Sequence, residues 1–183
     1  MKKLLVLLGI TIVFAHAYAA EPAKKEQLSL DKYQPKSTDE MNIINLVHKF
    51  EKGYSTVDKN LILGLYTPDA MIQTSTGKGD YKGVLHPKGE HAKRLSKQLE
   101  GIREWSPKLK IFVPESFEIK DNKGYWSGPY KLYARSYRIK YGEEGIINFE
   151  FMNTDQGWLI SKRTWDIIDC NYPGFKEWKQ KHK

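Results

Sequence analysis

The stretch "LYTPDAMIQTSTG", residues 65–77, joins a predicted helix to a predicted strand and decides the fold. The helix stops at Thr67-Pro68-Asp69, and a strand begins at once and covers residues 70–74. A glycine-rich loop, "STGKGDYKG", follows the strand. We ask whether this junction carries a catalytic acid or base.

Two helices are predicted before this strand. Ser37 and Glu40 fit a capping box, in which each side chain satisfies a free amide of the first helical turn. Apolar residues then recur at helical spacing up to Gly53, and a second, shorter helix opens at Asp58. The apolar positions of the first helix are Ile43, Ile44, Leu46, Val47, Phe50 and Tyr54.

A third helix is predicted to begin at His86-Pro87, because proline suits the first helical position, where its missing amide costs nothing. His91 and Leu95 share one face of this helix with a thin apolar stripe, and the basic residues mostly lie elsewhere. A stripe this thin favours a solvated helix over a membrane-binding one.

After residue 108 the pattern changes from helical to strand-like, with apolar and polar residues in alternation. The predicted strands cover residues 108–113, 117–120, 125–141, 146–152 and 158–168, with turns at 121–124, 142–145 and 155–157. Gly128-Pro129 predicts a bulge or bend in the longest strand. Helices segregated from a mostly antiparallel sheet predict an α+β fold.

The amino terminus of the 183-residue chain has the pattern of a secretory signal peptide. A charged start precedes an apolar run over residues 4–14, and Ala17-Tyr18-Ala19 is a cleavage pattern, so we predict a cut after Ala19. A membrane span needs roughly twenty apolar residues, more than this run offers. The chain is predicted to be periplasmic or secreted, with no span after cleavage. The predicted divisions are 1–19 signal peptide, 20–37 flexible lead-in, 38–169 domain and 170–183 basic tail.

The formal net charge of +8 could indicate an anionic partner, but the basic residues are spread along the chain rather than clustered. Together with export, this distribution favours a role in solubility and argues against nucleic acid as a partner. The single cysteine, Cys170, cannot form an internal disulfide, and we predict that it is buried and inert.

The order of these motifs resembles the nuclear transport factor 2-like superfamily, which includes SnoaL-like proteins. A helix ending in Leu-Tyr, then Pro-Asp-Ala, a strand, a glycine-rich loop and a helix carry the resemblance, together with the last strand "GWLISKRTWDII". It covers about residues 38–168. The resemblance implies a cone in which three N-terminal helices pack on a strongly bent, mostly antiparallel sheet. Members include steroid isomerases, dehydratases, cyclases, epoxide hydrolases and proteins without chemistry, so the fold alone does not choose a function.

Two positions argue against isomerase chemistry. The resemblance implies a catalytic carboxylate four residues after the alanine of the first strand, and Thr74 stands there. It also implies an oxyanion-stabilising tyrosine eight residues before Asp58, and Phe50 stands there without a hydroxyl to donate. The junction therefore keeps the scaffold and lacks the acid.

Polar and aromatic residues remain as candidates for the lining of a pocket. Tyr54, Asp80 and His91 are weak candidates for a relocated acid–base set. The spacing of Asp80, His86 and His91 matches no helical ligand pair, so no metal site is predicted, and no cofactor is indicated. The predicted ligand-binding residues are Phe50, Tyr54, Tyr66, Thr74, Tyr137 and Trp165.

The long predicted strand carries an unusual aromatic stripe. Alternation places Tyr133, Arg135, Tyr137, Ile139 and Tyr141 on one face. Such a stripe could stack a ring or hold an anion, and it could equally form a homodimer interface through the sheet face. On the neighbouring strands, Arg163 and Glu150 are expected to form a cross-strand pair.

Three functions stay open. The first is an exported, non-catalytic domain that binds a small apolar or aromatic molecule, or an envelope partner, in its pocket. The second is a lyase, isomerase or hydrolase with a relocated acid–base set, and the third is a ligand-free dimeric adaptor. The missing acid and tyrosine favour the first.

Overall fold

The computed structural model describes residues 27–75, 86–87, 93, 106–135 and 140–171. A 3₁₀ turn, Leu30–Lys32, precedes two α-helices, α1 (Thr38–Ser55) and α2 (Lys59–Gly64). The strands of the described ranges are β1 (Tyr66–Ser75), β2 (His86–Pro87), β3 (Lys108–Ile111), β4 (Ser116–Lys120), β5 (Lys123–Arg135), β6 (Lys140–Thr154) and β7 (Gly157–Cys170). Helices first and strands afterwards confirm the predicted α+β class.

Both helices begin at the capping residues that the sequence predicts. The Ser37 hydroxyl accepts a hydrogen bond from the Glu40 amide at 3.1 Å, and the Asp58 carboxylate accepts one from the Leu61 amide at 2.9 Å. The Glu40 carboxylate, however, accepts from the amide of Lys36 at 2.7 Å. The reciprocal half of the predicted capping box is therefore displaced by one residue.

The opening junction differs from the prediction by a few residues. Helix α2 ends at Gly64, and β1 already begins at Tyr66, so Pro68 and Asp69 lie in the strand. The pairing of β1 with β7 shifts register between Tyr66 and Met71. This irregularity accommodates the proline, which cannot donate to a regular ladder.

The predicted third helix is wrong at its start. His86–Pro87 forms β2, which pairs antiparallel with β1 at the edge of the sheet, where a proline is tolerated. Lys93 has helical backbone, and residues 88–92 and 94–102 of the predicted helix lie outside the described residues. The arrangement of three N-terminal helices is therefore corrected to two α-helices over the described ranges. Of these, neither is long and apolar enough to cross a membrane.

The strands form one mixed sheet with the order β2-β1-β7-β6-β5-β3, and β4 also pairs with β5. Only the β1–β7 pair among the described strands is parallel; the others are antiparallel. The sheet is therefore mostly antiparallel, as predicted. Its three longest strands, β5, β6 and β7, lie side by side and carry most of the buried side chains of the sheet.

The longest predicted strand, 125–141, is wrong, because it is a hairpin: β5 ends at Arg135 and β6 begins at Lys140. The predicted turn at 142–145 instead lies inside β6. Its Gly-Glu-Glu-Gly sequence has the composition of a turn, but Gly145 has a packing role. A Cβ atom there would lie 1.9 Å from the carbonyl oxygen of a neighbouring strand.

The predicted aromatic stripe is therefore divided between two strands. Tyr133, on β5, is 54 % exposed, whereas Tyr141, on β6 opposite Ala134, is half-buried. Tyr137 and Ile139 lie outside the described residues. The described members of the stripe thus do not share one face, because Tyr141 pairs with Ala134, the neighbour of Tyr133 on β5.

At the predicted bend, Gly128-Pro129, one edge of β5 changes its partner strand. Strand β5 keeps its register with β6 through both residues. On its other edge, β5 pairs with β4 up to Ser127 and with β3 from Tyr130. A Cβ atom on Gly128 would lie 3.0 Å from the backbone of the segment that links β3 to β4, so glycine permits this close approach.

The core lies between the inner face of α1 and the sheet. Its largest fully buried side chains include Phe50 of α1 with Trp126, Tyr130 and Phe149 of the long strands. Leu30 is also in this core at 1 % exposure. Part of the segment predicted as a flexible lead-in therefore packs against the domain.

Candidate functional site

An aromatic cluster lies between α1 and the centre of the sheet. Phe50 and Tyr54 lie one turn apart on α1, with ring centroids separated by 4.9 Å. Phe149 of β6 meets Phe50 at 5.2 Å, and Trp165 of β7 meets Tyr54 at 5.3 Å. Tyr130 of β5 packs edge-on against Trp165 at 4.7 Å. These tilted and edge-to-face contacts are the arrangements that aromatic rings favour.

Arg163 is buried inside this cluster at 1 % exposure. Its Nη1 donates a hydrogen bond to the phenolic oxygen of Tyr54 at 2.8 Å. The guanidinium carbon lies 5.2 Å from the ring centroid of Trp165 and 5.6 Å from that of Phe50. Both distances are within the range of cation–π attraction, so the rings partly replace the lost hydration of the cation.

The Nε–H of Arg163 is buried and has no hydrogen-bond acceptor among the described residues. The phenol of Tyr66, also buried, interacts with the guanidinium, and burial raises the pKa of this phenol despite the opposing effect of the arginine charge. Tyr66 is therefore a neutral neighbour. The cation is surrounded by neutral aromatic groups, and its Nε–H makes no hydrogen bond to the described residues.

The predicted pair of Arg163 with Glu150 is wrong. Glu150 instead accepts from Lys162 at 2.7 Å, and Arg163 stands opposite Phe149 in the register of β6 and β7. The register shifts next to Glu150. Two successive buried positions of β7, Ile160 and Arg163, are therefore three residues apart instead of two. This bulge reverses the alternation and turns the arginine toward the core, as bulges re-aim side chains.

Glu143 is a second buried charge-bearing side chain, near the end of β6. Its carboxylate accepts hydrogen bonds from the phenol of Tyr130 at 3.1 Å, from the phenol of Tyr141 and from the indole nitrogen of Trp165 at 3.1 Å. Burial raises the pKa of Glu143 above its ordinary value, although the three hydrogen bonds act in the opposite direction. Cys170 stands opposite Glu143 in register and is buried, as predicted.

Gly145 makes this arrangement possible. It pairs with Tyr130 across β5 and β6, and a Cβ atom on Gly145 would lie 2.9 Å from the Tyr130 ring. Because glycine has no side chain, the ring can approach this close while its hydroxyl reaches Glu143. Burial and the adjacent carboxylate raise the pKa of Tyr130 and of Tyr141, so both phenols remain hydrogen-bond donors at neutral pH.

The structure brings together four of the predicted ligand-binding residues. Phe50, Tyr54 and Trp165 contact one another, and Tyr66 joins them through Phe50 and Arg163. The backbone of Thr74 pairs with Trp165 between β1 and β7. Asp80, His91 and Tyr137 lie outside the described residues. The predicted ligand-binding role of these residues stays a prediction.

An open cavity of about 410 Å³ lies elsewhere, at the C-terminal end of α1. Ser55, Thr56 and Val57 line it from one side, and Ser106, Pro107 and Lys108 line it from the other. It includes neither Arg163 nor Glu143. Nowhere in the described ranges do three or more His, Cys, Asp or Glu side chains approach closely enough to hold a metal ion.

No family model and no curated protein matches the sequence. Solved structures do match. A protein of unknown function with a cystatin-like fold from Nostoc punctiforme has a TM-score of 0.60 at 12 % identity, over 77 % of this chain and 98 % of that one. A nuclear transport factor 2-like protein with a cystatin-like fold from Novosphingobium aromaticivorans has a TM-score of 0.61 at 10 % identity, over 76 % and 88 %.

A third similar structure is a candidate scytalone dehydratase, also from Novosphingobium aromaticivorans. Its TM-score is 0.59 at 10 % identity, over 72 % of this chain and 85 % of that one. At such identities the likeness establishes the fold and leaves the chemistry open. The mixed sheet packed on α1, the order of elements and these structural matches agree: the chain has the bent-sheet, cystatin-like fold of nuclear transport factor 2-like proteins.

Proposed function

We propose that this protein is an exported domain that binds a small aromatic or apolar molecule at the aromatic cluster inside its bent sheet, without turnover. The observation that carries the proposal is the Nε–H of Arg163, a buried donor among aromatic rings without an acceptor in the described residues. Small-molecule sites combine apolar and aromatic walls with a few well-placed polar groups, which is the composition of this cluster.

Binding without turnover is supported by the two positions at which isomerases hold their reacting groups. Phe50 is a fully buried ring packed on Phe149 and Tyr54, so it offers no hydroxyl to an oxyanion. Thr74 replaces the carboxylate on the first strand. The hydroxyl of Tyr54, one turn further along α1, accepts a hydrogen bond from Arg163 Nη1 and is therefore held beside the guanidinium.

The experiment is a thermal-shift screen of the mature protein with aromatic and aliphatic small molecules, followed by calorimetric titration of the hits. We expect aromatic compounds to raise the melting temperature, because a ligand that binds only the folded state stabilises it. A Trp165→Phe variant should weaken the binding, since it removes the largest ring of the cluster. If neither an aromatic nor an aliphatic compound binds, the proposal is wrong.

A second candidate, a lyase-type enzyme, is favoured by Glu143. A buried carboxyl group with a raised pKa that is held by Tyr130, Tyr141 and Trp165 is the kind of group that can act as a general acid. A structurally similar protein is a candidate dehydratase. Glu143→Gln should abolish turnover of any substrate that is found while leaving its binding intact; retained turnover would exclude this role.

A third candidate function, a ligand-free dimeric adaptor, is supported by the outer face of β5. Tyr125 and Tyr133 are exposed there, and tyrosine is enriched at protein interfaces. Light scattering of the wild type and of a Tyr133→Glu variant tests homodimer formation through this face. A dimeric wild type and a monomeric variant are expected, and an unchanged mass would contradict the role of Tyr133.

A further inference from the structure

Arg163 carries a full positive charge in the core. A guanidinium cannot be deprotonated in a protein, and a buried charge is costly unless it is paired and hydrogen-bonded. The ion pairs among described residues involve lysines and a histidine, and none involves Arg163. The aromatic rings around it attract the cation but do not neutralise it.

The buried carboxyl group of Glu143 does not fill this role. Glu143 reaches Trp165 at the indole nitrogen, while Arg163 lies over the ring of the same tryptophan. The three hydrogen bonds that Glu143 accepts come from Tyr130, Tyr141 and Trp165, and none comes from the guanidinium. Trp165 therefore separates the two buried charge-bearing groups, and each keeps its own set of partners.

The hydrogen bonds of Arg163 show which of its donors lacks an acceptor. Nη1 is engaged by Tyr54, and Nε–H remains without an acceptor in the part of the chain that the structure describes. An acceptor at Nε that also carried a negative charge would satisfy the donor and neutralise the cation at once. Carboxylates do this well, because their two oxygens match the planar fork of the guanidinium.

We infer that the ligand of the aromatic cluster is a small aromatic monocarboxylate, whose carboxylate accepts a hydrogen bond from Arg163 Nε and whose ring packs on the neighbouring rings. This inference rests on the proposed function and specifies its ligand class. A single cation favours a monoanion over a phosphate monoester, because a dianion would leave one negative charge buried without a partner. The neutral aromatic walls favour an apolar ring as the remainder of the ligand, because further polar groups would be buried without partners.

The test uses two probes of the same shape, 2-naphthoate and its neutral amide, 2-naphthamide, titrated calorimetrically into the mature protein. We expect the carboxylate to bind at least about tenfold more tightly, the difference that one charge-assisted hydrogen bond provides. 2-Naphthyl phosphate, the dianionic analogue, should bind more weakly than the carboxylate. Tighter binding of the phosphate would overturn the monocarboxylate assignment.

Three variants test which residue is responsible for the preference for the carboxylate over the amide. Arg163→Met removes the charge and keeps an apolar side chain, so both probes should bind with similar affinity. Arg163→Lys keeps the charge and lacks the Nε–H and the planar fork, so it should reduce the preference without abolishing it, even if the methionine variant does not fold. Lys162→Met is the matched control, because it removes the adjacent, more exposed cation that pairs with Glu150, and its preference should equal that of the wild type.

The outcomes separate the inference from the function that it specifies. Equal affinity of the wild type for 2-naphthoate and 2-naphthamide would overturn the inference and leave the binding function standing. A carboxylate preference that is undiminished in both Arg163 variants would overturn the role of this residue. Failure of both probes to bind would count against the inference and the proposed function together.

Discussion

The hydroxyl of Tyr54 should contribute measurably to stability, because it is the described acceptor of a buried cation. Tyr54→Phe removes one oxygen atom and keeps the ring, so the contacts with Phe50 at 4.9 Å and with Trp165 at 5.3 Å remain. The change leaves Arg163 Nη1, which donates to this oxygen at 2.8 Å, without that acceptor. Hydrogen bonds to charged groups contribute about 1.5–3 kcal/mol, and we expect a loss of about 2 kcal/mol.

Urea denaturation followed by tryptophan fluorescence measures this loss. With a slope of about 2 kcal/mol per molar, the midpoint should fall by about 1 M. The matched control is Tyr133→Phe, the same substitution at a side chain that is 54 % exposed, where a change within about 0.5 kcal/mol is expected. If Tyr54→Phe is as stable as the control, the buried hydrogen bond to Arg163 does not exist as described.

Two further predictions concern the pocket around Glu143. Gly145→Ala should destabilise the protein by about 3 kcal/mol or more, because its Cβ would lie 1.9 Å from a backbone oxygen. The control is Gly64→Ala, where the Cβ has open space, and this change should be neutral or slightly stabilising. Chemical denaturation measures the free energy of unfolding of both variants. Burial raises the pKa of Glu143, so its contribution to stability is fully present below its ordinary pKa of 4.5 and is lost as the pH rises through the raised value. The stability of the wild type relative to Glu143→Gln should therefore decline above pH 4.5, as measured by denaturation across pH; a constant difference would contradict the burial of an ionisable carboxyl group.

The sequence was sufficient for the fold class and for the parts of the fold that depend on local chemistry. Ser37 and Asp58 cap helices because a short oxygen-bearing side chain can reach the free amides of the first turn. The turns at 121–124 and 155–157 were also predicted, and the structure has Asp121, Asn122 and Gly157 at positive φ there. These features follow from neighbouring residues, so local patterns predict them.

The site was harder to predict, because it depends on register between distant strands. Arg163 points inward only because β7 shifts register next to Glu150, and a bulge of this kind leaves no clear mark on a single sequence. Glu143 was missed because the glycines around it gave the segment the composition of a turn. Counting back by twos along β6 from Phe149, through Ile147 and Gly145, places Glu143 on the buried face, and this was the signal that could have found it.

The third helix was predicted from a proline at a position that suits a helix start, yet His86–Pro87 is an edge strand. Proline suits both environments, because neither requires its amide to donate. Only the pairing of this segment with Met71 and Ile72, more than a dozen residues away, decides between them. Local propensity therefore could not settle the number of helices.

The central claim is that the buried guanidinium of Arg163 receives a small-molecule ligand. The most direct measurement is the NMR signal of the Arg163 Nε–H group, assigned by its absence from the Arg163→Lys variant, during titration with 2-naphthoate. We predict that this signal shifts progressively and saturates together with the calorimetric binding curve. An unchanged Nε–H signal at saturating ligand, with shifts confined to the open cavity around Val57 and Lys108, would contradict the claim.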